Sequence, residues 1–148
     1  MNQQALLDYL YAHIPLSRAM GVTVQSLDAG SVTLAAPLAP NINHRGTAFG
    51  GSISTLATLA AWSLLRVSTD GLDPLPRLVI RRNTVDYDKP VEGDFTATAH
   101  APDAETWQRF LDTLQQRGRA RIELSADVMW GDALAASFAG DFVALRVV

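Results

Sequence analysis

Cysteine is absent from the 148-residue chain. Its absence removes disulfide staples, cysteine-ligated zinc, iron–sulfur clusters and thiol nucleophiles from consideration, and is the usage expected of a cytoplasmic protein. Positive charge is also scarce, with 12 Lys and Arg against 15 Asp and Glu and a formal net charge of −3. Without a basic footprint to displace phosphate counterions, nucleic acid is not an expected partner. No basic flank leads into an apolar stretch among the first ten residues, so no secretory leader is expected there. Internal repeats, low-complexity tracts and linkers are missing as well, and the length suits one domain, expected over residues 1–148. Formal charge is lacking from Gly46 to Leu65, a run of twenty residues. That is long enough to cross a bilayer. However, Thr47, Ser52, Ser54, Thr55, Thr58 and Ser63 interrupt it and Gly50-Gly51 lies near its start. A helix buried inside a soluble domain is therefore expected, with no membrane partner.

What is present divides into short elements. Residues 2–13 are expected to form a helix: Asn2 can cap it, Leu6, Leu7, Leu10 and Ile14 share one stripe, and Pro15 stops it. Val22 and Val24, then Val32, Leu34, Ala36 and Leu38, alternate as the two strands of a β-hairpin. Asp28-Ala29-Gly30 makes the turn, with Gly30 free to take a positive φ. Residues 40–51 form a loop, and residues 51–67 the apolar helix. After Pro74 and Pro76, Leu78 to Tyr87 and Phe95 to His100 read as two strands joined around Lys89-Pro90-Val91-Glu92-Gly93. Asp103 caps an amphipathic helix with Trp107, Phe110, Leu111 and Leu114 on one face, and Gly118 closes it. The clearest strand follows, with Ala120, Ile122, Leu124, Ala126, Val128 and Trp130 on one face and Arg119, Arg121, Glu123, Ser125 and Asp127 on the other. Gly131-Asp132 turns into a last strand running to about Leu145.

A sheet with one polar face must bury its other face, and the nearly all-apolar helix is the available partner. The expected class is α+β, an antiparallel β-sheet wrapped around a long central α-helix. The long terminal strands are expected to leave exposed edges in a single copy, a geometry that invites association.

Three segments carry a family resemblance. Asn43-His44-Arg45-Gly46-Thr47-Ala48-Phe49-Gly50-Gly51, entering the buried helix, resembles the corresponding loop of the hot-dog fold. Tyr87-Asp88-Lys89-Pro90-Val91-Glu92-Gly93-Asp94 is similar to the strand-turn-strand that follows the helix in that fold, and Phe138-Ala139-Gly140-Asp141-Phe142-Val143 to its closing strand. Within the fold, the chain most resembles the YiiD C-terminal type of thioesterase. The resemblance covers nearly the whole chain. It implies an acyl-thioester hydrolase acting on acyl-CoA or acyl carrier protein. No separate cofactor is implied, because coenzyme A or phosphopantetheine enters as part of the substrate. It also implies a homodimer or dimer of dimers with sites shared between copies. Hot-dog proteins also include non-catalytic acyl-thioester binders and dehydratases or hydratases of β-hydroxyacyl thioesters. The latter need a His and a carboxylate facing each other across the site.

The chemistry of the loop follows from its residue types. Adjacent glycines at a helix start admit a ligand without a Cβ in the way. The first amides of that helix have no internal partner and sit at the positive end of its dipole. Gly51 N–H is thus the expected donor to a thioester carbonyl and to the oxyanion formed on attack. Gly46 and Gly50 flank the same approach. In the related thioesterases the asparagine at the position of Asn43 helps place the attacking water; the alternative is a loop Asn bonding its own backbone. His44, beside it, is a candidate base or substrate contact. Many relatives carry a helix carboxylate where this chain has Thr58, and a threonine cannot act as a general base at neutral pH. Thr58 shares a narrow polar stripe with Gly51, Ser54 and Thr55, which either orients water or bonds carbonyls four residues back. The acyl chain is expected near Phe49 and Trp62. Asp86, next to Tyr87, is a distant candidate for the missing base. Arg45, Arg81-Arg82 and the series Arg117, Arg119 and Arg121 read as solvated faces, with phosphate pairing as the alternative. No two histidines have metal-ligand spacing, and no metal is expected.

Overall fold

Burial of the long apolar helix organises the chain. The computed structural model describes residues 1–147, and Val148, the end of the expected domain, lies outside them. Helix α3 (Gly50–Ser68) buries Ile53, Leu56, Ala57, Leu59, Ala60, Ala61, Leu64 and Leu65. Its partner is a six-stranded sheet built from β1 (Thr23–Leu27), β2 (Ser31–Ala36), β3 (Arg77–Tyr87), β4 (Phe95–His100), β5 (Arg119–Trp130) and β6 (Ala133–Leu145). The strand order is β1-β2-β4-β5-β6-β3, and every neighbouring pair is antiparallel. The inner face carries small residues at its centre. Leu34, Ala97 and Val128 form one cross-strand row, and Val32, Ala99, Ala126 and Phe138 the next. Alanines in mid-sheet let α3 approach closely, while the phenylalanines and leucines on either side fill the remaining volume. The result is the hot-dog arrangement that the sequence resembles.

Several local details differ from expectation. Asn2 caps α1 (Gln3–His13) by accepting from the Ala5 amide at 2.8 Å. Pro15 then opens a second short helix, α2 (Pro15–Ala19), because its fixed φ suits the first helical position as well as it ends the preceding one. Gly30 does not adopt a positive φ. Instead the Asp28 carboxylate accepts from the amides of Gly30 and Ser31, each at 3.0 Å, and these bonds close the turn. The Gly30 amide above all holds that carboxyl below its ordinary value. The segment between β3 and β4 is not a hairpin turn. β3 pairs with β6, and β4 lies between β2 and β5, so residues 88–94 cross from one edge of the sheet towards its middle. The long terminal strands are not the edges either. β6 is flanked on both sides, and the edges are β1 and the eleven-residue β3. Helix α4 (Ala104–Arg117) begins at the Asp103 cap and ends at Gly118, whose φ is +71°.

One glycine is required by packing. On the inner face Phe138 and Phe142 flank Gly140, and a Cβ there would lie 2.6 Å and 2.8 Å from their rings. Both rings are buried, so neither can swing into solvent. Gly140→Ala is expected to cost about 1–3 kcal/mol through overpacking. Urea unfolding at neutral pH checks this, and an unchanged midpoint would show that the rings have room to yield.

Candidate functional site

The loop before α3 is held by two asparagines. Asn41, only 2% exposed, donates from Nδ2 to the carbonyls of Met20 at 2.9 Å and Pro37 at 2.8 Å. Its backbone carbonyl accepts from the Phe49 amide at 2.7 Å, which fixes where the helix starts. Asn43 closes a tighter ring. Its Oδ1 accepts from the amides of Arg45 at 2.8 Å and Thr47 at 3.2 Å. Its Nδ2 donates to Thr47 Oγ1 at 2.8 Å and to the Ala48 carbonyl at 3.4 Å. All four hydrogen-bonding positions of this carboxamide are thus engaged inside its own loop. Gly46 sits at the tip with φ +79°, where an L side chain is strained. The Ala48 amide donates to the Val91 carbonyl at 2.8 Å, tying the loop to the crossover after β3.

Phe49 occupies the position before the first helical residue and offers no capping side chain. The amides of Ser52 and Ile53 both turn back to the Phe49 carbonyl, at 2.9 Å and 3.1 Å. Among the described residues the Gly50 and Gly51 amides have no hydrogen-bond partner. These are orphan donors at the positive end of a nineteen-residue helix. Gly50 lines a pocket of about 230 Å³ together with Ala48, Ile53, Tyr87, Lys89 and Val91. The Tyr87 hydroxyl donates to the Gly50 carbonyl at 3.2 Å. At Gly51 the missing Cβ makes room for the Phe49 ring, since a Cβ there would lie 2.3 Å from it. Ile42, Phe49 and Tyr87 are 51%, 58% and 53% exposed. Such an apolar rim around unpaired polar groups marks a surface that something covers.

The polar stripe of α3 is present, and the hydroxyls of Ser54 and Thr58 are spent locally. Ser54 donates to the Gly51 carbonyl at 3.1 Å, and Thr58 to the Ser54 carbonyl at 2.8 Å. Gly51, Ser54, Thr55, Thr58 and Trp62 are all half-buried on one side of the helix. Trp62 reaches further, donating from Nε1 to the Leu78 carbonyl of β3 at 3.2 Å and stacking on Tyr9 at 5.8 Å. Phe49 and Trp62 are therefore far apart, about 20 Å along the helix axis at 1.5 Å per residue. His44 is exposed on the loop, away from any ion pair among the described residues.

Asp86 does not reach this region. Tyr87 bonds the start of α3, so by strand alternation Asp86 points to the opposite, outer face of the sheet. The carboxylate at the pocket wall is Asp88. Arg119 and Arg121 also lie on the outer face, and Arg81 pairs with Asp141 at 2.9 Å. Tyr87, Asp88, Lys89, Val91 and Asn41 are site residues that sequence reasoning missed. Tyr87 ends β3 and the next three stand on the crossover, which reaches the helix start only because β3 and β4 are not neighbours. Asn41 carried no signal beyond its nearness to Asn43.

Comparison with known proteins bears on the family and the fold. A family model described as "Putative thioesterase (yiiD_Cterm)" matches residues 3–146. Among solved structures, the chain is similar to a protein of unknown function from Chlorobaculum tepidum. The identity is 31%, the coverage 98% of this chain and 94% of that chain, and the TM-score 0.91. It is similar to a structure titled putative thioesterase from Shewanella oneidensis at 28% identity, 97% and 96% coverage and a TM-score of 0.85. A thioesterase from Haemophilus influenzae shares the fold at 12% identity, 100% and 93% coverage and a TM-score of 0.79.

Thr58→Val removes a hydroxyl that bonds only its own helix. Stability is expected to change by less than about 1 kcal/mol. A larger loss in urea denaturation would mean that this hydroxyl serves a further partner.

Proposed function

Because the chain belongs to the YiiD C-terminal thioesterase family, we propose that it is an acyl-thioester hydrolase whose substrate acyl group is carried by coenzyme A or an acyl carrier protein. The observation that carries this reading is the pair of unpartnered amides, Gly50 and Gly51, where α3 begins. The thioester carbonyl oxygen accepts from Gly51 N–H, with Gly50 and the Tyr87 side chain bounding the approach. Water adds to the carbonyl carbon, and the oxyanion that forms is held by those amides. The C–S bond then breaks, and the thiol and the free acid leave. A donor of this kind is worth about 3–4 kcal/mol of barrier.

In this reading Asn43 is a positioning residue. Its ring of hydrogen bonds sets the loop that ends at Phe49, and Phe49 sets the direction of the free amides. Gly51 and Thr58 are seven residues apart, about 10 Å along one helix, so one copy does not bring both to the same carbonyl. A second copy does, if it pairs with the exposed edge of β3 and runs its α3 antiparallel to the first. Thr58 of the second copy, whose oxygen still accepts hydrogen bonds, then helps hold the water. The long open edge of β3, with Val79 and Ile80 exposed upon it, supports such a homodimer. The acyl chain lies along the half-buried side of α3 between Phe49 and Trp62.

A second reading, a non-catalytic acyl-thioester binder, is favoured by one feature. The helix position of the usual carboxylate holds Thr58, which donates to its own helix.

Thiol release from a panel of acyl-CoA chain lengths tests the main reading. Asn43→Ala is expected to lower kcat/KM at least tenfold, and Thr58→Asp to raise it. Saturable acyl-CoA binding with no thiol released over hours selects the binder instead. Light scattering at micromolar concentration is expected to give a particle of twice the 16.0 kDa chain mass. A particle of single-chain mass removes the shared site.

A further inference from the structure

Eleven of the twelve basic residues are arginines, and the one lysine is Lys89. It sits on the wall between two cavities. One is the pocket of about 230 Å³ at the start of α3. The other is an open shelf of about 550 Å³ lined by Lys89, Trp130, Gly131, Asp132 and Ala133. The base of the lysine is fixed, because the amides of Asp88 and Lys89 both donate to the Ala135 carbonyl, at 2.8 Å and 3.1 Å. Its ammonium is uncommitted: among the described residues Lys89 takes part in no ion pair. The shelf has an aromatic wall. Trp130 is half-buried, and its Nε1 lies so close to Gly93 that a Cβ there would be 2.7 Å away. That packing holds the indole in one orientation, as a stacking platform must be held.

Resting on the thioester reading above, we propose that Lys89 contacts the phosphate that joins the pantetheine arm to its carrier, and that Trp130 receives the adenine of coenzyme A. Lys89 lines both cavities and so stands between the start of α3 and the shelf. The thioester end lies at the Gly51 amide, the phosphate at the dividing lysine and the base on the shelf beyond. Asp88 and Asp132 line the same two cavities. Local charge is therefore not positive overall, and the site is no general anion trap. It selects a phosphate delivered on an arm already held at both ends, where effective concentration replaces intrinsic affinity. A lysine suits this task because it places a compact charge on a flexible stem.

Two sources share the phosphate chemistry, coenzyme A and the phosphopantetheine of a carrier protein, and the two residues separate them. The test measures KM for one acyl group presented as acyl-CoA, as S-acyl phosphopantetheine and as S-acyl pantetheine, together with calorimetry of free coenzyme A. Lys89→Ala is expected to narrow the KM advantage of both phosphate-bearing substrates over S-acyl pantetheine about tenfold, and Lys89→Arg to restore most of it. Trp130→Ala is expected to narrow only the advantage of acyl-CoA over S-acyl phosphopantetheine and to weaken coenzyme A binding. Both variants change exposed or half-buried side chains, and circular dichroism checks that they fold. Hydrolysis that persists in Lys89→Ala with all KM ratios preserved overturns the inference and leaves the hydrolase reading intact. Coenzyme A binding that weakens in Lys89→Ala, with no thiol released by any form of the protein, supports the inference and overturns the hydrolase reading.

Discussion

Helix α3 begins at a residue that cannot cap it. The Phe49 side chain has no oxygen to offer, so among the described residues two amides point outward with nothing to bond, and the rest of the region is arranged around that deficit. Unsatisfied backbone donors cost free energy when they are kept from water. A helix that merely had to be stable would place Ser, Thr or Asp before Gly50. Here that position carries an exposed aromatic ring folded over Gly51. The loop is nevertheless not loose. Asn41 fixes the Phe49 amide, Asn43 closes the preceding turn, and the Ala48–Val91 bond anchors both to the crossover. The open donors are therefore held in place by neighbours tied into the surrounding backbone. Pre-organised donors of this kind act on a developing charge without first having to reorient.

The sheet had to be built so that this helix could be enclosed and yet remain open on one side. Alanines in the middle of β4, β5 and β6 draw α3 close, while the edge strand β3 leaves its far side unpaired. Trp62 links the two by bonding the Leu78 carbonyl, so the half-buried stripe of the helix and the open edge of the sheet face a common space. One structural choice thus produces both the accessible helix face and the surface suited to a second copy.

Some of this was legible in residue order, and the reason is physical in each case. β5 alternates without a break because one face meets the core and the other meets water, and α4 repeats at helical spacing for the same reason. Both appear where the pattern puts them, including the Asp103 and Gly118 boundaries. β3 also lies within one residue of its expected bounds, although an edge strand with exposed residues on both faces has no strong alternation. Its partner was unreadable, since pairing with β6 rather than β4 is a long-range choice that no local period encodes. The loop motif pointed to Gly51 and Asn43. It did not point to Tyr87, Asp88 or Lys89, which sit nearly forty residues later and join the site only through that pairing. Gly30 failed for a different reason: a side-chain carboxylate did the work that a left-handed glycine otherwise does.

The threonine at position 58 defines what the site is able to do. A positioned general base contributes about 10²- to 10⁴-fold to such reactions, and a single well-aimed oxyanion donor a comparable 10²- to 10³-fold. A site with the donors and without a helix carboxylate keeps the second factor and lacks the first, unless another group accepts the proton of the attacking water. The Thr58 hydroxyl cannot be that group, because its proton is already committed to the Ser54 carbonyl and its oxygen is far too weak a base. Asp88 is the carboxylate that lines the pocket, and it stands on the crossover rather than on the helix. In the proposed hydrolase the groups open to that proton are Asp88 on the β3–β4 connection, the exposed His44 of the loop, and solvent. With no helix carboxylate, the proposed reaction leans chiefly on how well the amides at the start of α3 hold the oxyanion.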